Sequence, residues 1–268
     1  MESITFLAEP HTYHIGNKEL ISVSHIIKKF HPKKDWNTIA TKYAKKNGET
    51  AQYWLDKWAD KAKKSTDVGT LYHEIREENL INTENPEFFG VKCQILPCST
   101  LNGVKHSIPI SNLPYNTVFP ELIISDVDAG VCGQSDKVVT TDTHIHILDY
   151  KTDKEILFKG YSNQWKSAEK YLHPISHLEV CTGNDYSLKM SMYMYMVWKQ
   201  NKHLKPGKII LEHKILKRGQ DDIPVIENGL PVVLEEKEIE LPYRKTEVMA
   251  IFALLKEEKQ NQLPDGNR

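Results

Sequence analysis

Two aspartates and a lysine carry the clearest chemical signal in this sequence: Asp136 in Gly133-Gln-Ser-Asp, and Asp149 with Lys151 in Asp149-Tyr-Lys-Thr. In an extended strand, alternate residues share a face. Along His144-Ile-His-Ile-Leu-Asp-Tyr-Lys, the side chains of Ile145, Ile147, Asp149 and Lys151 therefore point one way. A carboxylate and an ammonium beside two core isoleucines are costly unless they pair or bind an ion. The preceding segment, Gly130 to Thr140, returns through a tight turn at Thr141-Asp142 and can bring Asp136 beside Asp149. Two carboxylates and a lysine converging at a sheet edge suit phosphodiester hydrolysis. Hard oxygens hold Mg²⁺ or Mn²⁺, and the metal polarises the phosphate and acidifies a bound water. The lysine positions that water or neutralises phosphoryl oxygens. The D-x-K pattern alone is weak, and by itself it fits an ordinary Asp–Lys pair on a hairpin better. Gly133 leaves room for a close approach of backbone or ligand.

The elements that must position these groups can be read in outline. Residues 4–24 have strand character with a turn at Gly16-Asn17, and Ser24 is a candidate N-cap for a first helix. Asp35 caps a second helix through about Lys46, which Gly48 interrupts. A third helix is expected over 49–64, with Trp54 and Trp58 as i,i+4 neighbours. A fourth starts near Val68-Gly-Thr. Residues 82–117 carry several prolines and no clear period. Strands follow from Val118: Glu121-Leu-Ile-Ile-Ser, then the hairpin already described, as an antiparallel meander. A polar insertion covers 155–183. A helix spans 186–200, a strand 208–216, a hairpin 223–240 turning at Asn228-Gly229, and a last helix about 243–259. The expectation is an α/β fold in a single domain, 1–268. Within it lie a helical lobe (25–66), a core bearing the site (67–216), and a C-terminal hairpin and helix (217–260).

Composition narrows the partners. The chain has 268 residues, 40% hydrophobic and 26% charged, ordinary for a globular protein. No apolar run approaches the ~20 residues that span a bilayer. The N-terminus has neither a basic nor an apolar leader segment, so a cytoplasmic protein is expected. The net charge of −1 conceals an asymmetry: residues 28–64 hold eleven lysines against four acids. A basic lobe beside an acidic remainder suits a polyanion held against a metal-binding site; a solvated lysine-rich helix face is the plainer reading. Trp36, Trp54 and Trp58 among those lysines either stack bases or form the lobe's own small core. The four cysteines contain no C-x-x-C pair and read as core thiols. His173, His177 and Cys181, four apart, have a spacing that zinc would accept. His144 and His146 alternate away from Asp149 and read as surface residues. The alternating methionines Met190 to Met196 spread around a helix and read as packing.

The order of motifs adds a resemblance. G-x-x-D followed a dozen residues later by D-x-K-T resembles the PD-(D/E)XK nucleases, specifically the RecB-like and bacteriophage exonuclease branch. Gly69-Thr-Leu-Tyr-His73-Glu-Ile-Arg-Glu77 resembles the branch's G-x-x-x-H-x-x-x-E helix. Lys189-Met-Ser-Met-Tyr193 falls where the branch shows Q-L-x-x-Y. His11-Thr-Tyr and Ser22-Val-Ser-His-Ile-Ile are similar to the openings of phage members. Together these motifs span roughly residues 5–200. The resemblance implies a central mixed sheet flanked by helices and a DNA exonuclease of recombination, repair or degradation, using one or two Mg²⁺ or Mn²⁺ ions. His73, Asp136, Asp149 and the Tyr150 carbonyl would be metal ligands, Lys151 the catalytic lysine, and Glu121 an acidic residue for substrate or a second metal. Tyr193 would contact the DNA backbone or support the site. Lys189, with Lys45, Lys46 and Lys61 of the lobe, would meet DNA. A single-strand-annealing or recombination protein is an implied partner, and the host cytoplasm the setting. No iron–sulfur cluster is expected, because no cysteine follows Cys181. Lys189 departs from the usual glutamine: an ammonium donates only, whereas an amide donates and accepts. That departure keeps open a DNA-binding module that does not cut, or a phage structural component with the same fold.

Overall fold

Strands form here where Val, Ile and Thr recur at period two, and helices where that period gives way to capped runs free of proline. The structure is a computed structural model, and it describes residues 3–8, 11–164, 166–219 and 222–261. It opens with β1 (Ile4–Leu7), β2 (Thr12–Ile15) and β3 (Lys18–Ser22); Gly16, at φ +54°, makes the β2–β3 turn. Helix α1 (Val23–Lys29) is capped by Ser22, whose hydroxyl accepts from the His25 N–H, not by Ser24 as the sequence suggested. The strand runs two residues less far than expected, so the earlier serine of Ser22-Val-Ser takes the cap. Helix α2 (Trp36–Asn47) is capped by Asp35 and ends at Gly48 in the left-handed region.

The two helices expected over 49–64 and from Val68 are one: α3 (Ala51–Ile81), 31 residues and about 46 Å long. Thr50 caps its start, no proline interrupts it, and Gly69 in its middle costs only about 1 kcal/mol against alanine. The stretch that could not be read, 82–117, forms short strands: β4 (Glu87–Phe88), β5 (Val91–Lys92), β6 (Gln94–Ile95), β7 (Ser99–Leu101) and β8 (Val104–His106). The expected meander follows as β9 (Thr117–Asp126), β10 (Val131–Thr140) and β11 (His144–Lys151). Helix α4 (Thr182–Gln200) carries the chain across to β12 (Lys205–Leu216), parallel to β11. The hairpin β13 (Ile226–Glu227) and β14 (Leu230–Pro231), β15 (Val233–Leu241) and α5 (Lys245–Asn261) complete it.

The result is a mixed α/β architecture with a large mixed sheet in the order β15-β12-β11-β10-β3-β2-β1-β8-β7, with β9 on β10 and β6 on β9. One face is buried under α1, α4 and α5. Ile145, Ile147, Val138, Ile209 and Leu211 meet Leu188, Met190, Met192 and Phe252 there. All four alternating methionines of α4 are fully buried, because the helix is enclosed by sheet and helices. The other face holds Val139, Leu148 and Ile210 against Leu80 and Cys93. Among the described residues, no helix is long and apolar enough to cross a membrane.

One topological detail positions the site. Strand β9 pairs with β10 along its whole length and so fills one edge. The other edge is shared. Strand β3 takes Val131 and Cys132 in parallel, and β11 takes Lys137 to Thr140 antiparallel. Residues Gly133 to Asp136 lie in the gap between, with no strand partner on that edge among the described residues.

Candidate metal centre at the split sheet edge

Asp136 sits where β11 leaves β10. Its carboxylate accepts a 2.6 Å hydrogen bond from the Tyr150 N–H, replacing the ladder that stops at Lys137–Leu148. On the opposite edge the β9–β10 register also skips Asp136: it runs from Ser135–Leu122 to Lys137–Pro120, and the residue between, Glu121, adopts φ +47°. A glutamate in the left-handed region inside a strand is strained by about 1–3 kcal/mol, and such outliers gather at functional sites. The kink turns Glu121 toward Asp136, and the Gln134 amide donates to its carboxylate at 2.6 Å. Glu121 is thus no solvated strand-end residue.

Helix α3 supplies the third group. The His73 Nδ1 lies 3.2 Å from Asp136 Oδ2. One donor atom each from His73, Glu121 and Asp136 lie within 4.8 Å of one another, the one such group of potential metal ligands among the described residues. Two carboxylates and an imidazole are a donor set that Mg²⁺ or, better, Mn²⁺ accepts. Electrostatics tie the three together. Burial opposes the charge on Asp136, but His73, Lys151 and Lys189 outweigh it and hold the carboxyl well below its usual range. Burial likewise opposes an imidazolium at His73, and Asp136 overrides it, so its pKa is raised. Burial, then the Asp136 charge, pushes Glu121 up to about 8.

Asp149 is fully buried on the face the strand alternation assigns it, and Lys151 shares that face. The Lys151 ammonium bonds the Asp149 carboxylate and, at 2.7 Å, the Tyr150 carbonyl. Lys189 of α4 lies 3.4 Å from the other Asp149 oxygen. The two ligands expected from β11, Asp149 and the Tyr150 carbonyl, are therefore held by lysines, whereas His73, Glu121 and Asp136 converge beside them.

Several expected contacts take another form. Tyr193 is only 2% exposed, so it supports the site and offers no face to DNA. A Cβ on Gly133 would fall 2.6 Å from the Tyr193 ring, so the close neighbour of Gly133 is this side chain. Lys189 faces Asp149 from within. Lys45 and Lys46 end α2 on the exposed surface, and Lys61 pairs with Asp222 at 3.0 Å. Trp54 and Trp58 pack with Tyr43 and Trp36 into the lobe's own aromatic cluster. His146 is not a surface residue: it is buried, stacked on Phe89 at 3.7 Å between ring centroids. A bulge in the β11–β12 register, with Gly207 beside the imidazole, makes the space. His177 bonds Glu247 and Cys181 stands at the start of α4, so the zinc spacing gathers no cluster.

His73 and Glu121, with Lys151, line a cleft of about 750 Å³ between α3 and the small sheet of β1, β7 and β8, and Asp136 lies just behind them. Lys105 of β8 pairs with Glu77 of α3 across it at 2.9 Å. Arg218 reaches the Thr152 carbonyl along its rim, and the Tyr186 hydroxyl bonds Asp153. Lys105, Gln134, Tyr186 and Arg218 were not singled out from the sequence. Gln134 alone carried a signal, since it stands in the Gly133–Asp136 run; Lys105 and Arg218 reach the cleft, and Tyr186 reaches Asp153 on its lining, only through long-range packing. No protein-family model matches this chain, and no curated protein matches it.

Proposed function

We propose that this protein is a Mg²⁺- or Mn²⁺-dependent DNA nuclease of PD-(D/E)XK type. The convergence of His73, Glu121 and Asp136 at the mouth of a cleft, with Lys151 one strand away, is the observation that carries the reading. A divalent cation there supplies Lewis acidity toward a phosphodiester and lowers the pKa of a bound water. The remaining work falls to the chain. Asp136, anchored by the Tyr150 N–H, and Glu121, held by Gln134, fix two carboxylates with little freedom left to lose. Lys151, held on Asp149 and the Tyr150 carbonyl, presents an ammonium that can neutralise phosphoryl oxygens. Lys105 and Arg218 at the cleft rim offer cations to a polyanionic backbone. The resemblance to RecB-like and phage recombination enzymes favours digestion from DNA ends.

End-labelled DNA with Mg²⁺ or Mn²⁺ tests this directly and reads polarity at the same time. Wild-type protein should degrade the strand. Lys151→Ala and Asp136→Ala, checked for folding by circular dichroism, should slow it by on the order of a hundredfold or more. Cleavage by either variant at the wild-type rate sinks the assignment. DNA bound in chelator but never cut with Mn²⁺ would identify a binding module instead.

A further inference from the structure

Lys189 stands where the resembling nucleases place a glutamine, and it is half-buried with its ammonium turned to a carboxylate. Its ammonium lies 3.4 Å from Asp149 Oδ1, and Asp149 has no exposure to water. The other Asp149 oxygen is taken by Lys151, which also holds the Tyr150 carbonyl. Every oxygen on β11 that a cation would use already has an ammonium on it. The trio of His73, Glu121 and Asp136 is bonded by the Tyr150 N–H and the Gln134 amide and, among the described residues, by no lysine ammonium.

We infer that Lys189 is a built-in counter-charge that makes this a one-metal centre, with the ion on His73, Glu121 and Asp136 and the ammonium in place of a second ion at Asp149. The inference rests on the metal site proposed above. Charge balance supports it. As metal ligands Glu121 would be ionised and His73 neutral, so three carboxylates against Lys151 and Lys189 leave one net negative charge. One divalent cation turns that to one positive charge, which a phosphodiester cancels on binding. A second divalent ion would leave three positive charges in a largely buried pocket, which the low local dielectric penalises heavily. The Lys189 ammonium also lies 5.6 Å from the centroid of the Tyr193 ring, which Gly133 accommodates. Lys189 is a positioning residue, acting through Asp149.

The test counts ions. Isothermal titration of the full chain with Mn²⁺, without DNA, should give one site per wild-type protein, and electron paramagnetic resonance should show no exchange-coupled Mn²⁺ pair. Lys189→Gln should admit a second Mn²⁺ with a coupled-pair signal, and should tighten the first on the order of tenfold or more by removing a nearby positive charge. Lys189→Met, of similar length and uncharged, provides the same readout if the glutamine variant folds poorly. Two Mn²⁺ on the wild type overturn the inference and leave the nuclease reading standing. A single Mn²⁺ in wild type and both variants overturns it also. One Mn²⁺ on the wild type with two on a variant, but no DNA cleavage, upholds it while sinking the nuclease reading. No Mn²⁺ binding at all removes both.

Discussion

Gly133 shows how far a single missing carbon reaches. An alanine there would place its Cβ 2.6 Å from the Tyr193 ring, inside any real contact, and the ring is buried with the Lys189 ammonium over it. Gly133→Ala should therefore cost about 1–3 kcal/mol in urea unfolding. It should also weaken Mn²⁺ binding, because Gln134 and Asp136 follow on the same strand. A variant with unchanged midpoint and unchanged affinity would show that Tyr193 moves aside freely. At this scale much of the site was legible. The alternation of β11 placed Asp149 and Lys151 on one buried face, as found, and the ordered motifs brought in His73. What did not show was the turn of Glu121 to φ +47°, since nothing in Phe-Pro-Glu-Leu-Ile marks a backbone outlier. The capture of Asp149 by two lysines, 2 and 40 residues away in sequence, was equally hidden.

At the scale of elements, α3 carries the lesson. The sequence reading divided it in two, with one helix over 49–64 and another from Val68. The structure joins it, because a proline-free run with a good cap continues once its far end is packed on the sheet through Val68, Tyr72 and Leu80. At Gly69 an added methyl would meet only Thr152 Oγ1, at an ordinary 3.5 Å. Gly69→Ala should raise stability by about 0.5–1 kcal/mol, measured by thermal or chemical denaturation. A loss would mean that Thr152 needs the space. The same logic explains why 82–117 resisted reading. Its strands are two or three residues long: β8 and β6 lie on the edges of β1 and β9, β7 follows on β8, and β4 and β5 pair with each other. Pairing of that kind leaves no periodicity in the sequence.

Across the whole molecule, a buried histidine couples stability to acid. His146 is stacked on Phe89 and accepts from the Lys208 N–H, and burial followed by the nearby His144 and Lys208 lowers its pKa to about 4. Its unfolded value is near 6.5. The unfolded chain thus takes up this proton first as pH falls below 6.5, and stability drains away until about pH 4, by at most about 3 kcal/mol. Above pH 6.5 the contribution is fully present. His146→Asn keeps an acceptor near Nδ1 but does not titrate, so its unfolding free energy should fall less steeply over that window. Equal slopes for variant and wild type would refute the account.

The continuous rod of α3 also has a mechanical meaning. From Ala51 to Tyr72 is about 32 Å of helix, with its packed anchors gathered at the far end around His73. Part-way along, Lys61 ties this rod to Asp222 at 3.0 Å. The helix acts as a strut: it sets the span between the lysine-rich end of the lobe and the imidazole, and its rigidity keeps that span constant.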